Sequence, residues 1–63
     1  MEHETSQKSL ALLNIKAVIV KTGLSRAVIY TKVGEGTFPI PKRPTPGRIA
    51  WIDRDIDQWI ASL

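Results

Sequence analysis

A mainly helical α+β domain with three helices and a short β-hairpin is predicted by three features of the sequence. Two short helical patterns are split by Gly23-Leu24-Ser25, a Pro46-Gly47 turn sits between basic and apolar residues, and an amphipathic segment follows Asp53. At 63 residues the chain makes one domain, and a chain of this size buries only about 60% of the surface it exposes unfolded. One thin core is expected, without an enclosed substrate cavity. The absence of cysteine excludes a disulfide framework and any Cys-based zinc site, which fits a reducing cytoplasm. Apolar runs are a few residues long, far short of the roughly 20 needed to span a bilayer, so no membrane partner is expected.

Residues 1–9 are polar, lack periodicity and hold the lone histidine, His3, and are predicted to form a disordered tail; the domain is predicted over 10–63. Asn14 can accept a hydrogen bond from a free amide, so a helix is predicted to start at Ile15, with Ile15, Val18, Ile19 and Thr22 on one face. Gly23 stops it, and Ser25 offers a second N-cap, giving a tight helix-turn-helix. The second helix is predicted from Arg26 to Val33 or Glu35, fraying after Val33 because of Gly34 and Gly36. Its Ile29 and Val33 point inward with Leu24 packing from the turn, while Arg26, Ala27, Tyr30 and Thr31 face out.

Phe38-Pro39-Ile40-Pro41 cannot be helical, and Phe38 is expected to plug the core. Lys42 to Ile52 predicts a hairpin with Pro46-Gly47 at the centre of a type II turn. Ile49 and Trp51 there alternate with Ala50 and Ile52, so that one pair closes the core. Asp53 is expected to cap a third helix, with Asp55 and Asp57 in its first turns and Ile56, Trp59, Ile60 and Leu63 on its inner face. Together these elements describe a miniature winged helix-turn-helix.

The net charge of +3 is unevenly spread. Residues 8–48 carry eight lysines and arginines against Glu35 alone, while both ends are acidic. Segregation of this kind makes a positive face suited to a polyanion.

The run Thr22-Gly23-Leu24-Ser25-Arg26, then Ile29-Tyr30, Glu35-Gly36, Phe38-Pro39, and Trp51 ahead of Asp53, Ile56 and Trp59-Ile60 resembles the AlpA family of phage-derived transcriptional regulators. The resemblance covers Leu12 to Leu63. It implies a winged helix-turn-helix of the MerR and excisionase kind, DNA binding and a link to prophage genes. Against the family pattern, Val18 stands where an acidic residue is usual and Thr31 where a basic one is.

The expected partner is double-stranded DNA, bound in a cytoplasmic, nucleoid-associated setting, with no cofactor, metal or catalytic residue. A recognition helix must present polar side chains near its N-terminus. Arg26 suits the O6 and N7 of guanine, and Ser25 with the adjacent helix N-terminus suits phosphate. Ala27 and Lys32 share the helix. Tyr30 and Thr31, one turn on, are placed to touch a phosphate or a thymine methyl, with half-buried packing as the alternative for Tyr30. Lys42, Arg43 and Arg48 in the wing would follow the backbone or enter the minor groove. Lys16 and Lys21 are expected to be solvated, with phosphate within reach as the alternative. Trp51 and Trp59 are expected in packing, and Asp53, Asp55 and Asp57 in capping and dipole roles. No heptad extension follows the third helix, so self-association is expected only as weak pairing on repeated sites. Two alternatives share these features: an excisionase-like factor that bends DNA, and a basic module that docks an acidic protein.

Overall fold

A computed structural model describes residues 11–63, and the tail expected at 1–9 lies outside the described residues. The elements run β1 (Leu12–Leu13), α1 (Ile15–Thr22), α2 (Arg26–Glu35), β2 (Trp51–Ile52) and α3 (Asp53–Ala61). The three helices and the mainly helical α+β class are those predicted; β1 was not.

Short-range hydrogen bonds set both ends of α1. The Asn14 side chain accepts from the Ala17 amide at 2.9 Å, and at the other end Gly23, at φ 77°, donates its amide to the Ile19 carbonyl at 2.8 Å. A residue with a Cβ would be strained in that conformation by about 1–2 kcal/mol. The Thr22 hydroxyl donates to the Val18 carbonyl at 2.8 Å and accepts from the Leu24 amide at 3.2 Å. Ser25 then caps α2, its Oγ accepting from the Val28 amide at 3.2 Å. Each residue of the Gly23–Leu24–Ser25 turn therefore has its own tether.

The second helix does not fray after Val33 but continues to Glu35. Gly36, at φ 79°, closes it: its amide donates to Val33 and the Thr37 amide donates to Lys32, at 3.1 and 3.0 Å. That paired bonding satisfies the last carbonyls, so Gly36 is the stop signal and Gly34 is tolerated within the helix.

The wing is reduced to a base and a tip. Lys42 and Ala50 form a single antiparallel bridge, and the Arg48 amide donates to the Thr45 carbonyl at 3.1 Å. Pro46 and Gly47 occupy the centre of that turn, but it is not type II. A type II turn needs positive φ at its third residue, and Gly47 lacks it. After Ala50 the chain changes partner: β2 pairs antiparallel with β1, Leu12 opposite Ile52 and Leu13 opposite Trp51. The change of partner breaks the expected alternation, so that the consecutive residues Ala50 and Trp51 are both buried.

Nor does Asp53 cap α3. Ile52 holds the N-cap position without a side-chain bond. The Asp53 amide instead donates to the Ala11 carbonyl at 2.7 Å, extending the β1–β2 ladder, and its carboxylate pairs with Lys21.

Val18, Ile29, Phe38, Trp51 and Ile56 form the buried core, with Leu24, Val33, Trp59 and Ile60 among the residues packed on it. Phe38 lies between two indoles, its ring centroid 6.4 Å from Trp51 and 4.8 Å from Trp59. Leu63, expected on the inner face, is 84% exposed because it lies beyond the last residue of α3. Among the described residues no helix is long and apolar enough to cross a membrane.

Candidate nucleic-acid interface

Complete burial of Ile29 fixes the rotation of α2 about its axis. At 3.6 residues per turn, Ala27 and Thr31 then point roughly 160° away from it and Gly34 about 140° away. Ser25, Arg26, Ala27, Tyr30 and Thr31 are all exposed, as the sequence predicts, whereas Lys32 is only partly so. Val28 was missed: it is 41% exposed. The signal was available in the same periodicity, since a residue roughly 100° from Ile29 lies off the inner stripe.

The N-terminus of α2 leaves polar groups available. The Arg26 and Ala27 amides have no carbonyl to donate to within the helix. Ser25 uses an oxygen lone pair for its cap, which leaves its O–H as a donor. Arg26 and Tyr30, four residues apart, share one flank. The Tyr30 ring sits 6.5 Å from Trp51 at a tilt of 51°, so Tyr30 touches the root of the wing while its outer edge meets solvent.

Two indoles position the wing. Trp51 Nε1 donates to the Pro39 carbonyl and Trp59 Nε1 to the Thr37 carbonyl, each at 2.9 Å. The segment leaving α2 is thus pinned from β2 and α3 together. Because Trp51 also meets Tyr30, one side chain sets the wing root beside the Arg26–Tyr30 flank. Lys42, Arg43 and Arg48 are exposed on that wing, Lys42 at its base and Arg48 closing its tip turn.

Two acidic groups are engaged away from this face, while Glu35 is exposed at the C-terminal end of α2. Lys21 pairs with Asp53 and, at 2.7 Å, with Asp57. Its ammonium is held above its ordinary pKa by the hydrogen bond to Asp53 first and that to Asp57 second. Lys21 is exposed, as expected, and in addition two carboxylates one turn apart on α3 hold it. Among the described residues Arg26, Lys42, Arg43 and Arg48 enter no ion pair with an acid. Among those residues no cluster of acids and histidines could hold a metal ion. An open depression of about 480 Å³, lined by Thr37, Pro39, Asp55, Gln58 and Trp59 among others, lies at the far end of α2 from Arg26.

The family described as "Prophage CP4-57 regulatory protein (AlpA)" matches residues 11–63. The chain belongs to the AlpA family. A relative in Escherichia coli (strain K12), described as "DNA-binding transcriptional activator AlpA", is 31% identical over 62 residues, covering 89% of each chain. The AlpA match includes every element from β1 to α3, so the turn, α2 and the wing all fall within it.

Proposed function

We propose that this chain binds double-stranded DNA through α2 and the wing, and regulates transcription of prophage-type genes. The observation that carries the reading is the division of charge: exposed cations on α2 and the wing enter no ion pair among the described residues, while two carboxylates of α3 are engaged by Lys21. Membership of the AlpA family and the likeness to the Escherichia coli DNA-binding transcriptional activator AlpA support it. In this reading α2 enters the major groove, Arg26 donates two hydrogen bonds to guanine, and Ser25 with the first free amides meets a phosphate. Lys32, Lys42, Arg43 and Arg48 supply sequence-independent attraction. The chain acts by binding, needs no cofactor, and works in the cytoplasm on the nucleoid. Copies on adjacent repeated sites pair weakly.

Titration of a selected duplex and its scrambled counterpart at several salt concentrations tests the proposal. Arg48→Ala should weaken binding to both duplexes and lower the salt slope by about 1. Arg26→Ala should in addition erase about 1–3 kcal/mol of discrimination between them. A wild-type protein with no salt-dependent affinity for any duplex would sink the reading and leave a basic protein-docking module in its place. An unchanged preference in Arg26→Ala would remove that residue from base recognition. Bending in a phasing assay would assign the same surface to an architectural factor of the excisionase kind.

A further inference from the structure

We infer that the outermost surface of α2 recognises thymine, through apolar contact of Ala27, Val28 and Thr31 with thymine 5-methyl groups in the major groove. The inference rests on the DNA-binding reading and adds to it the class of base recognised. Three observations carry it.

The first is position. Ile29 is fully buried and Tyr30 leans on Trp51, so the helix cannot roll to offer a different face. Ala27 and Thr31 are fixed opposite the core, and Val28 lies on the flank away from Tyr30 and the wing root. The second is chemistry. Between Arg26 and Glu35 the exposed side chains are those of Ala27, Val28, Tyr30 and Thr31, with Lys32 partly exposed on the Val28 flank; of the exposed four only the two hydroxyls can hydrogen-bond. Against Ala27 and Val28 the polar atoms of any base edge, thymine O4 included, lose water without gaining a partner, and only a methyl group gains from the contact. Thymine is the base that presents a methyl group in this groove.

The third is the pair Val28 and Gly34, an exposed valine and an interior glycine on the outer side of α2 that core packing does not require. Val28 is β-branched and apolar yet 41% exposed, outside the core. Gly34 does not adopt positive φ, and a Cβ there would meet nothing within 4 Å. Glycine weakens a helix interior relative to alanine, and neither turn geometry nor packing requires it here. A missing side chain on the outer surface does, however, let a base edge approach closely.

The test replaces thymine by deoxyuridine, one position at a time, in a duplex selected by the wild-type protein from a random pool. This removes the methyl and leaves every hydrogen-bonding group in place. Uracil at the positions under the middle of α2 should weaken binding about fourfold per methyl, the transfer free energy of one such group converted to affinity. Val28→Ala, a change outside the core, should abolish the uracil effect at one of those positions and leave the others unaltered. Uniform affinity across the uracil series, or selected sites lacking thymine under the helix, would overturn thymine recognition while leaving DNA binding intact. Failure to select any duplex would instead overturn the DNA-binding reading beneath it.

Discussion

The turn before α2 positions one outward cation, Arg26, and the wing after it carries three, yet opposite means hold the two regions in place. Every tether of the turn spans four residues or fewer: Gly23 to Ile19, Thr22 to Val18, Leu24 to Thr22, Val28 to Ser25. The wing and the segment leading to it depend on donors 12 and 22 residues away, the indoles of Trp51 and Trp59. The contrast teaches that the turn can form from its own neighbours, whereas the wing has a fixed direction only once α3 has docked. Recognition by such a molecule therefore combines a part specified locally with a part specified by the whole fold.

The sharpest way to break this contrast is Trp51→Ala. Trp51 is fully buried, meets Tyr30 and Phe38, and holds Pro39. Its truncation should cost about 3–5 kcal/mol, a large share of the stability of any small domain. Urea denaturation should show a protein largely unfolded at 25 °C. A variant that stayed folded with a loss below about 1 kcal/mol would mean that the wing root is held by something else.

Two milder substitutions probe the two regions separately. Ser25→Ala removes the α2 cap and should cost about 1 kcal/mol, up to 2. Trp59→Phe keeps an aromatic ring beside Phe38 but deletes the bond to Thr37, at about 0.5–1.5 kcal/mol. Amide hydrogen exchange distinguishes them. Ser25→Ala should speed exchange in the first turns of α2, and Trp59→Phe should speed it at Lys42 and Ala50, whose amides close the wing base. If both variants loosened both regions equally, the division between local and long-range specification would be wrong.

The same division governs how much of the molecule could be read from its sequence. Asn14, Gly23 and Ser25 announced the ends of α1 and the start of α2 because capping depends on neighbours three or four residues away. Ile29, Phe38 and Ile56 were found in the core by periodicity and by the proline-rich break after Phe38. The end of α2 and the type of the Pro46-Gly47 turn are local misreadings, whereas other errors fell where a distant partner decided the outcome. Asp53 looked like a cap until Lys21 and Ala11 claimed its carboxylate and its amide. Leu12 and Leu13 gave no sign of a strand, since a two-residue strand exists only by virtue of Trp51 and Ile52 opposite it. Arg26, Lys42, Arg43 and Arg48 were legible as exposed cations, but the contact between Tyr30 and Trp51 that sets the wing beside α2 was not.

The smallest expected effect tests the Lys21 ion pairs that link the two regimes. Lys21 lies in the last turn of α1, in the locally specified half, yet it pairs with Asp53 and Asp57 in the first turns of α3. Exposed pairs contribute little, and in Lys21→Met the Asp53 carboxylate keeps its favourable place in the first turn of α3, so the loss should be slight. Its pH dependence nevertheless identifies it. The Lys21 pKa is raised above the ordinary 10.5 by those carboxylates, so folding favours the protonated form. The contribution is fully present below the unfolded pKa and disappears as pH rises through the folded one. The Tm difference between wild type and Lys21→Met should stay constant from neutral pH to about pH 10, then close above it, and should shrink in high salt at any pH. A difference that persisted unchanged through the lysine titration would show that packing of the Lys21 stem, rather than its charge, ties α1 to α3.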